Sequence, residues 1–543
     1  MKKLLVLVVL LCAAVGCAEE TSVTPTATAQ PTELPATPTP QETAVPLTAT
    51  PLPTATVASI SSIFIDQPVQ IGDTIPSELL LAELEIFKEA LESLHPSLYR
   101  HTEKETIDQH FAQLEVTFQE DLTLSEVFMA YATFLAQIKD GHTYTNFFNQ
   151  PPSVQQTLFH QANKLPFTFR IFDNRMLIAQ NASTVPILTL GVEVLSIDGV
   201  PVGEIFDTLR PYVKADGAND NKRTHDLQIF GVEAFEWFDV LHPLFFPPEN
   251  EEFIIEAVDL VTGETFTTNV RTTSIIRRTA TLSRNDETFP NRLDDLWQYQ
   301  LLDGNIAYLK LGTFTVWNFQ MDWEQFLADA FINMKEQGVE HLIIDIRSNE
   351  GGLDAVIEQL IFYLGKDTYQ VNGYEGRTIY QTFPESLNPY LDTFDRSARD
   401  LSASVSLGDN GFYTFNEGFE PNERVPLPDN PNRFMGETYL LVNAGNSSAT
   451  FLMAQGFQTN NLATLVGQET GGNLMGTSGG QFAFLRLPHS KIEIDIPLLG
   501  NYPLTLQPDS GLTPDVGIVP TVEDFIEGVD TELKAVLSMI EDQ

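Results

Sequence analysis

The second half of the chain alternates between two apolar patterns, and this alternation restricts the fold more than any other feature. Strand-like runs and helix-like stretches follow one another from about residue 297, at 306–311, 323–337, 340–346, 354–364, 438–442, 450–458 and 463–466. Such alternation is typical of an α/β domain with a largely parallel sheet. The segment 367–431 is rich in Pro, Asn and Asp and interrupts the alternation, so it is interpreted as an insertion.

Two further regions are expected before this core. Apolar residues at helical spacing predict a helical domain over 76–150, which ends at Asp140-Gly141-His142. Strands dominate 151–300, where the stretch around the turn Asp198-Gly199 resembles the end of a PDZ-type domain. The predicted fold is therefore a multidomain α/β protein with an N-terminal helical domain, a PDZ-like β-rich domain and an α/β core over 301–543.

Charge and cysteine content exclude several classes of function. The 543 residues carry a net charge of −44, which disfavours binding to nucleic acid or docking on an anionic membrane by charge. The two cysteines, Cys12 and Cys17, both lie near the N-terminus. The rest of the chain therefore has no disulfide framework and no cysteine metal site.

The N-terminus has the pattern of an exported protein. Residues 1–16 predict a signal peptide, with Lys2-Lys3 before an apolar run that is too short for a comfortable membrane span. The run ends in Ala14-Val15-Gly16-Cys17, which resembles a bacterial lipobox and implies diacylation of Cys17; the alternative is a secreted protein. The segment 17–75, with its Thr, Pro and Ala tract at 21–58, is predicted to be an extended stalk. The expected location is extracytoplasmic, and any membrane contact runs through the lipid.

Three separate segments contain residues suited to nucleophilic catalysis. Ser448 follows an apolar strand and precedes a predicted helix, where backbone N–H groups can hold a developing oxyanion. Gly351-Gly352 follows another strand, and the glycines allow close approach of the backbone. His142 has a side chain whose near-neutral pKa suits a general base.

These segments resemble the C-terminal processing and tricorn-type serine peptidases. The string 345–352 resembles their Asp-Leu-Arg-x-Asn-x-Gly-Gly signature, and 441–449 resembles their nucleophile segment. The strand at 463–472 and the string 511–516, Gly-Leu-Thr-Pro-Asp-Val, resemble later motifs, so that the resemblance extends over about 305–520 in the family's order. The resemblance implies that the core has a ClpP/crotonase-like fold. It also implies that the protein is an extracytoplasmic serine peptidase that cleaves peptides or proteins.

The resemblance also implies roles for individual residues. Ser448 takes the nucleophile position, with Ser447 as the alternative if the register shifts by one. The oxyanion hole would consist of the N–H of Ala449 and that of Gly351 or Gly352.

One departure from the family pattern concerns the general base. The processing peptidases use a lysine, but this chain has Asn473 in the corresponding turn, and Lys491 lies within an apolar strand pattern. The tricorn branch uses a histidine from a preceding domain, and His142 matches it. We therefore expect a serine–histidine mechanism, with activity that rises with pH through a midpoint between about 6 and 7.5.

The orienting acid is the least specified member of the site. Asp509, two residues before Gly511, lies where the tricorn branch has a late carboxylate, and Asp515 is the alternative. Asp140 is interpreted as a brace for the histidine loop. Asp345 and Arg347 are interpreted as a structural ion pair at a strand end.

No metal and no cofactor are predicted, because the chain has neither a His-Glu-x-x-His motif nor a phosphate-binding loop. Two other functions stay open at this point. A catalytically inactive ligand- or peptide-binding protein could use the same scaffold, and an acyl-ester hydrolase could use the same groups. The oligomeric state is not indicated by the sequence.

Overall fold

A computed structural model describes residues 73–303, 305–418 and 420–542 of the chain. The predicted signal peptide, the lipidation site Cys17 and the tract 21–58 lie outside these residues. Within them, no helix combines the length and the apolar character needed to cross a membrane.

The N-terminal part of the described chain is mostly helical. Its helices are Ser77–Leu94, Lys104–Thr117, Leu124–Ile138 and Pro152–Leu158, and a two-residue pairing joins Thr74–Ile75 to Leu122–Thr123. The third helix is preceded by the capping residue Thr123, whose side chain forms a capping box with that of Glu126. The residue that follows the helix, Lys139, has a left-handed φ of 59°. This sharp end turns the chain directly into Asp140-Gly141-His142.

An antiparallel sheet forms the next region. Its strands are Phe167–Phe172, Arg175–Asn181, Val192–Ile197, Glu252–Asp259 and Thr265–Arg271 in spatial order, with Val200–Pro201 paired to the third. The helices of this region are Val202–Leu209, Asp220–Asp226, Trp237–Phe245 and Ile275–Asn285. The helix Val202–Leu209 continues as the 3₁₀ turn Arg210–Tyr212, because a proline at position 211 interrupts the α-helix. The PDZ-like character of this region stays a prediction.

The predicted α/β core contains a sheet of six strands. In spatial order they are Val516–Gly517, Thr464–Gly467, Glu437–Val442, His341–Asp345, Ile306–Leu311 and Trp297–Leu302. All adjacent pairs are parallel except that of the last two strands. The helices are Trp323–Gln337, Ala355–Leu364, Ser448–Thr459, Val522–Glu527 and Thr531–Glu541. The largely parallel sheet expected from the sequence is thus confirmed.

The position of the candidate site follows from this sheet. The strands His341–Asp345 and Glu437–Val442 are adjacent and parallel, so their carboxyl ends meet at one edge. The glycine pair 351–352 follows the first strand, and Ser448 follows the second. The helix expected over 450–458 begins two residues earlier, at Ser448.

A second antiparallel sheet contains much of the predicted insertion. Its order is Leu391–Asp392, Ser478–Arg486, Glu493–Pro503, Tyr374–Thr378, Tyr413–Phe415 and Val405–Leu407, and the strands Thr368–Gln370 and Arg424–Pro426 pair separately. The sequence suggested that Lys491 lies within a strand, and this prediction is wrong. It lies in the turn between the two longest strands with a φ of 65°, because the chain must reverse there.

The cores reflect this arrangement. Buried side chains of the N-terminal helices, the first antiparallel sheet and the second sheet form one cluster. The parallel sheet has separate apolar clusters on its two faces, and Thr531–Glu541 covers one of them. Arg347 forms an ion pair with Asp345 at 2.6 Å, as expected from the sequence, and also contacts Asp530 and Glu532 at the start of that helix.

Candidate active site

Ser448 occupies a backbone conformation that non-glycine residues seldom adopt. Its φ is 51°, whereas Ser447 before it is extended with φ −132° and ψ 176°. The buried side chain of Asn446 donates hydrogen bonds to the carbonyls of Ile346 and Asn349, which fixes the serine corner against the glycine loop. Residues held in the left-handed region are enriched at functional sites, because surrounding contacts must impose the strain.

The ring of His142 lies against this serine. Its Nε2 is 3.1 Å from Oγ of Ser448. The backbone N–H of His142 donates to Oδ1 of Asp140 at 2.9 Å, so the aspartate braces the loop, as the sequence suggested. The structure therefore brings together two residues from the end of a helix and the end of a strand.

Asp140 is the centre of a buried hydrogen-bond network. Thr143 donates to its Oδ1 at 3.0 Å, and Ser478 donates to its Oδ2. The hydroxyl of Thr143 lies 2.6 Å from Nε2 of His95. Burial alone would raise the pKa of Asp140, but the neighbouring histidines and these hydrogen bonds outweigh it and hold the pKa at about 2.

Two backbone amides beside Ser448 are free to bind an oxyanion. The N–H of Gly351 is not one of them, because it donates to Oδ1 of Asn349 at 2.9 Å. Among the described residues, the N–H groups of Gly352 and Ala449 have no acceptor. The sequence named Gly351 or Gly352 as an oxyanion donor, and Gly352 is the one whose N–H is available.

Both glycines are required by the geometry. Gly351 has a φ of 107°, and a Cβ there would lie 2.9 Å from the backbone nitrogen of Ala449. Gly352 has a φ of 135°, and a Cβ there would overlap the carbonyl of Phe314. Any larger residue would therefore displace the loop from the serine.

Asp509, predicted as the orienting acid, does not contact His142. Its Oδ1 accepts hydrogen bonds from the backbone N–H of Ala218 at 3.0 Å and from Asn473 at 2.6 Å, and lies 3.8 Å from Nδ1 of His101. These contacts orient the carboxylate toward a neighbouring loop. Nδ1 of His142 is buried and has no hydrogen-bond partner among the described residues. The alternative, Asp515, accepts from the backbone N–H of Leu465 and from Gln458 and is structural.

The electrostatic surroundings of His142 favour its neutral form. Burial, and then the positive charge of Lys214, lower its pKa from the ordinary value to about 4. A neutral imidazole is the form that can accept a proton. This pKa lies below the midpoint of about 6 to 7.5 expected from the sequence, which does not reveal how strongly the ring is desolvated.

Neither Lys491 nor Lys222 is placed to replace His142 as the base. Asn473 occupies the family's lysine position and is fully buried. Nζ of Lys491 donates to the carbonyl of Pro488 in its own turn. Lys222 is buried near the site, but its ammonium group is held by Asp226 at 2.7 Å and Glu350 at 3.3 Å, which raise its pKa against the effect of burial. A protonated lysine in ion pairs cannot act as a base.

Ser448 and His142 line a cleft of about 2160 Å³. Gly351 and Gly352 line the cleft as well. Its lining also includes aromatic side chains, among them Phe172, Phe230, Trp237, Trp317 and Phe482. The ring centroid of Phe482 is 5.9 Å from that of His142. Pockets for small molecules usually measure about 300–1,000 Å³, so this cleft has room for an extended polypeptide.

One group of side chains near the serine has the residue types of a metal site. Atoms of Asp140, His142 and Asp216 lie within 4.8 Å of one another. The fit to a metal ion is poor, because Asp140 already accepts three hydrogen bonds. In addition, Lys214 and Lys222 line the small cavity beside His142 and Asp216, and their charge would repel a cation.

Comparison with known proteins matches one part of the chain to a family. The family model described as "Peptidase family S41" matches residues 305–491, which include the glycine loop and Ser448. These residues form a peptidase family S41 domain. Because S41 is a family of serine peptidases, the protein is a serine-type peptidase.

Solved structures support the fold around the S41 domain. Mature CPAF matches with a TM-score of 0.56 at 14% identity, covering 86% of this chain and 98% of that one. A mutant of CPAF matches with 0.58 at 15% identity, covering 83% and 94%. Mature CPAF complexed with lactacystin matches with 0.56 at 15% identity, covering 86% and 99%. Because these identities are low, the likeness concerns the fold. No curated protein sequence matches the chain.

Asp216 is the residue near the S41 site that sequence reasoning missed. Its Oδ1 accepts the backbone N–H of Gly141 at 2.9 Å, and its side chain is buried. The only sequence signal is Asp216-Gly217, a common turn pair without a motif around it.

Proposed function

We propose that the protein is an endopeptidase in which Ser448 is the nucleophile and His142 is the general base. The single observation that carries this proposal is the 3.1 Å separation of Nε2 of His142 from Oγ of Ser448, at a cleft large enough for a polypeptide. A hydroxyl within hydrogen-bond reach of a neutral imidazole is the arrangement that activates a serine nucleophile.

The residues supply each step of peptide hydrolysis. As Oγ of Ser448 bonds to the scissile carbonyl carbon, its proton passes to Nε2 of His142. The N–H groups of Gly352 and Ala449 donate to the oxyanion of the tetrahedral intermediate. The C–N bond then breaks, His142 returns the proton to the leaving amine, and water activated by the same imidazole hydrolyses the acyl-enzyme.

The substrate is a peptide or an unfolded segment of a protein. The cleft is wider than a small ester requires, and aromatic side chains distributed along it offer apolar contacts to successive residues of a chain. This favours a peptidase over an acyl-ester hydrolase. The availability of both amide donors at the serine favours a catalyst over an inactive binding protein.

The proposed location is outside the cytoplasm, on a lipid anchor. Lys2-Lys3, the apolar run after them and the lipobox-like end at Cys17 support export and diacylation. The Thr- and Pro-rich tract at 21–58 would hold the peptidase away from the bilayer. Metabolic labelling with palmitate tests this, and a Cys17→Ala protein that still carries label would contradict it.

The test of the peptidase function compares two adjacent serines. Purified wild type, Ser448→Ala and Ser447→Ala are incubated with a denatured protein and with a peptide library, and cleavage is followed by mass spectrometry. Ser447 is a suitable control because its Oγ only donates to the carbonyl of Glu350 at 3.2 Å. We expect Ser447→Ala to keep most of the activity and Ser448→Ala to lose it. Cleavage by purified Ser448→Ala at the wild-type rate would contradict the proposal.

A further inference from the structure

The second ring nitrogen of His142 lacks the partner that a catalytic histidine needs. Nδ1 is buried and has no hydrogen-bond partner among the described residues. In a serine–histidine pair, a group that accepts from Nδ1–H fixes the ring orientation and the tautomer in which Nε2 can take the proton. Since Asp509 is bound to Ala218 and Asn473, another group must act here.

The neighbouring carboxyls differ in their available acceptor sites. Asp140 accepts from the backbone N–H of His142, from Thr143 and from Ser478, so both of its oxygens are engaged. Asp216 accepts one hydrogen bond, at Oδ1, from the N–H of Gly141. Its Oδ2 has no hydrogen-bond partner within the described chain, and one carboxyl oxygen of Asp216 lies within 4.8 Å of a ring nitrogen of His142.

A small cavity is lined by both His142 and Asp216. It measures about 30 Å³, and its lining includes His142, Asp216, Gly141, Lys214 and Lys222. A cavity holds a water molecule when it offers about 10–15 Å³ or more and has polar partners, so one water fits. No direct hydrogen bond joins Asp216 to the ring, and one bridging water accounts for a spacing of this kind.

We propose that Asp216 is the positioning carboxyl of His142 and acts through a single water molecule in this cavity. This inference rests on the proposed function of Ser448 and His142. In the proposed arrangement, Nδ1–H donates to the water, and the water donates to Oδ2 of Asp216. The proton that His142 takes from Ser448 stays at Nε2.

The backbone around Asp216 is held in place by hydrogen bonds to two neighbouring loops. The carbonyl of Asp216 accepts from Asn473 at 3.2 Å, and the N–H of Gly217 donates to the carbonyl of Lys139 at 2.8 Å. Gly217 has a φ of 60°, and a Cβ there would overlap the side chains of Asp509 and Asn473. Asp509 therefore positions the loop that carries Asp216 and does not itself contact the imidazole of His142.

The test replaces the carboxyl of Asp216, whose pKa burial raises to about 7, with an amide of the same shape. We expect Asp216→Asn to lower kcat by roughly 10–100-fold, as loss of an indirect orienting partner does, with KM changed less than about twofold. Asp220→Asn is the matched control, because Asp220 lies on the same segment with a side chain that is 77% exposed. It should leave both constants near the wild-type values. A wild-type kcat in Asp216→Asn would overturn the proposal.

A second measurement reads the tautomer directly. NMR of isotopically labelled histidine in the wild type, assigned by comparison with His142→Ala, should show His142 protonated at Nδ1 and free at Nε2. The opposite tautomer would overturn the proposal, even if Asp216→Asn failed to fold. Failure of the underlying function gives a different result, namely Ser448→Ala that still cleaves substrate. If activity is lost in Ser448→Ala but unchanged in Asp216→Asn, the role of Asp216 is rejected and the proposed function of Ser448 stands.

Discussion

Nε2 of His142 lies 3.1 Å from Oγ of Ser448, although 306 positions separate the two residues in the chain. The histidine is presented by the left-handed end of Leu124–Ile138, and the serine by the carboxyl end of Glu437–Val442. The pair therefore exists only when the helical region is docked on the parallel sheet. Mutations that loosen this docking should reduce activity before they unfold either part.

The strained backbone of Ser448 predicts a conflict between stability and activity. Glycine tolerates a φ of 51°, whereas alanine does not relieve the strain. We expect Ser448→Gly to be more stable than Ser448→Ala by about 1 kcal/mol, with both inactive. Thermal and denaturant unfolding measure this. Ala449→Gly is the control, because a glycine at this helical position should lower the free energy of unfolding by about 0.5–1 kcal/mol. Equal stability of the two Ser448 variants would remove the strain argument.

The lowered pKa of His142 predicts the pH profile. The base must be neutral, and a pKa of about 4 keeps it neutral to lower pH than an ordinary histidine. The acid limb of kcat/KM should thus have its midpoint well below pH 6.5, with a plateau above it. Lys214→Gln removes a positive charge that lowers this pKa and should move the limb to higher pH. Lys310 also lines the cleft but is not among the main causes of the shift, so Lys310→Gln should move the limb much less than Lys214→Gln does. A wild-type midpoint at 6.5 or above would contradict the prediction.

Replacing Gly352 should impair stabilisation of the oxyanion. A methyl group there would overlap the carbonyl of Phe314 and move the N–H that we assign to the oxyanion hole. We expect Gly352→Ala to lower kcat about 10²–10³-fold, as loss of one oxyanion donor does. Steady-state kinetics compares it with Gly517→Ala, since a Cβ at Gly517 meets nothing within 4 Å. If Gly352→Ala kept a normal kcat, the donor would have to come from elsewhere.

Asn473 should be a structural residue rather than a lost base. Its side chain donates to Oδ1 of Asp509 and to the carbonyl of Asp216, and it is fully buried. Asn473→Ala removes both hydrogen bonds, leaves the carbonyl of Asp216 without this donor and should destabilise the fold by about 1–3 kcal/mol. Asn473→Lys should not restore activity to His142→Ala. Recovery of activity in that double variant would favour a lysine-based mechanism.

The sequence predicted those parts of the site that lie in continuous motifs. Ser448, the pair Gly351-Gly352 and His142 each lie where a strand or helix ends, and the patterns locate such ends well. The parallel sheet was predictable for the same reason, because its strands are continuous apolar runs. The helix start at Ser448 was placed two residues late, since small polar residues at that corner resemble a loop.

Contacts between distant loops could not be predicted in this way. Asp509 occupies the expected place in the motif order, but its direction depends on the loop that carries Asp216. The second antiparallel sheet was missed because the insertion contributes short strands such as Leu391–Asp392 and Val405–Leu407, whose pairing is with distant segments. Burial of His142, which lowers its pKa, likewise depends on three regions of the chain.

The most direct test of the central claim is covalent labelling of the full chain with a fluorophosphonate, followed by proteolysis and mass spectrometry of the adduct. The account predicts one adduct, on Oγ of Ser448, that forms in wild type and Ser447→Ala, forms slowly in His142→Ala and is absent in Ser448→Ala. An adduct on Ser447, or peptide cleavage by a wild type that takes no label, would contradict it.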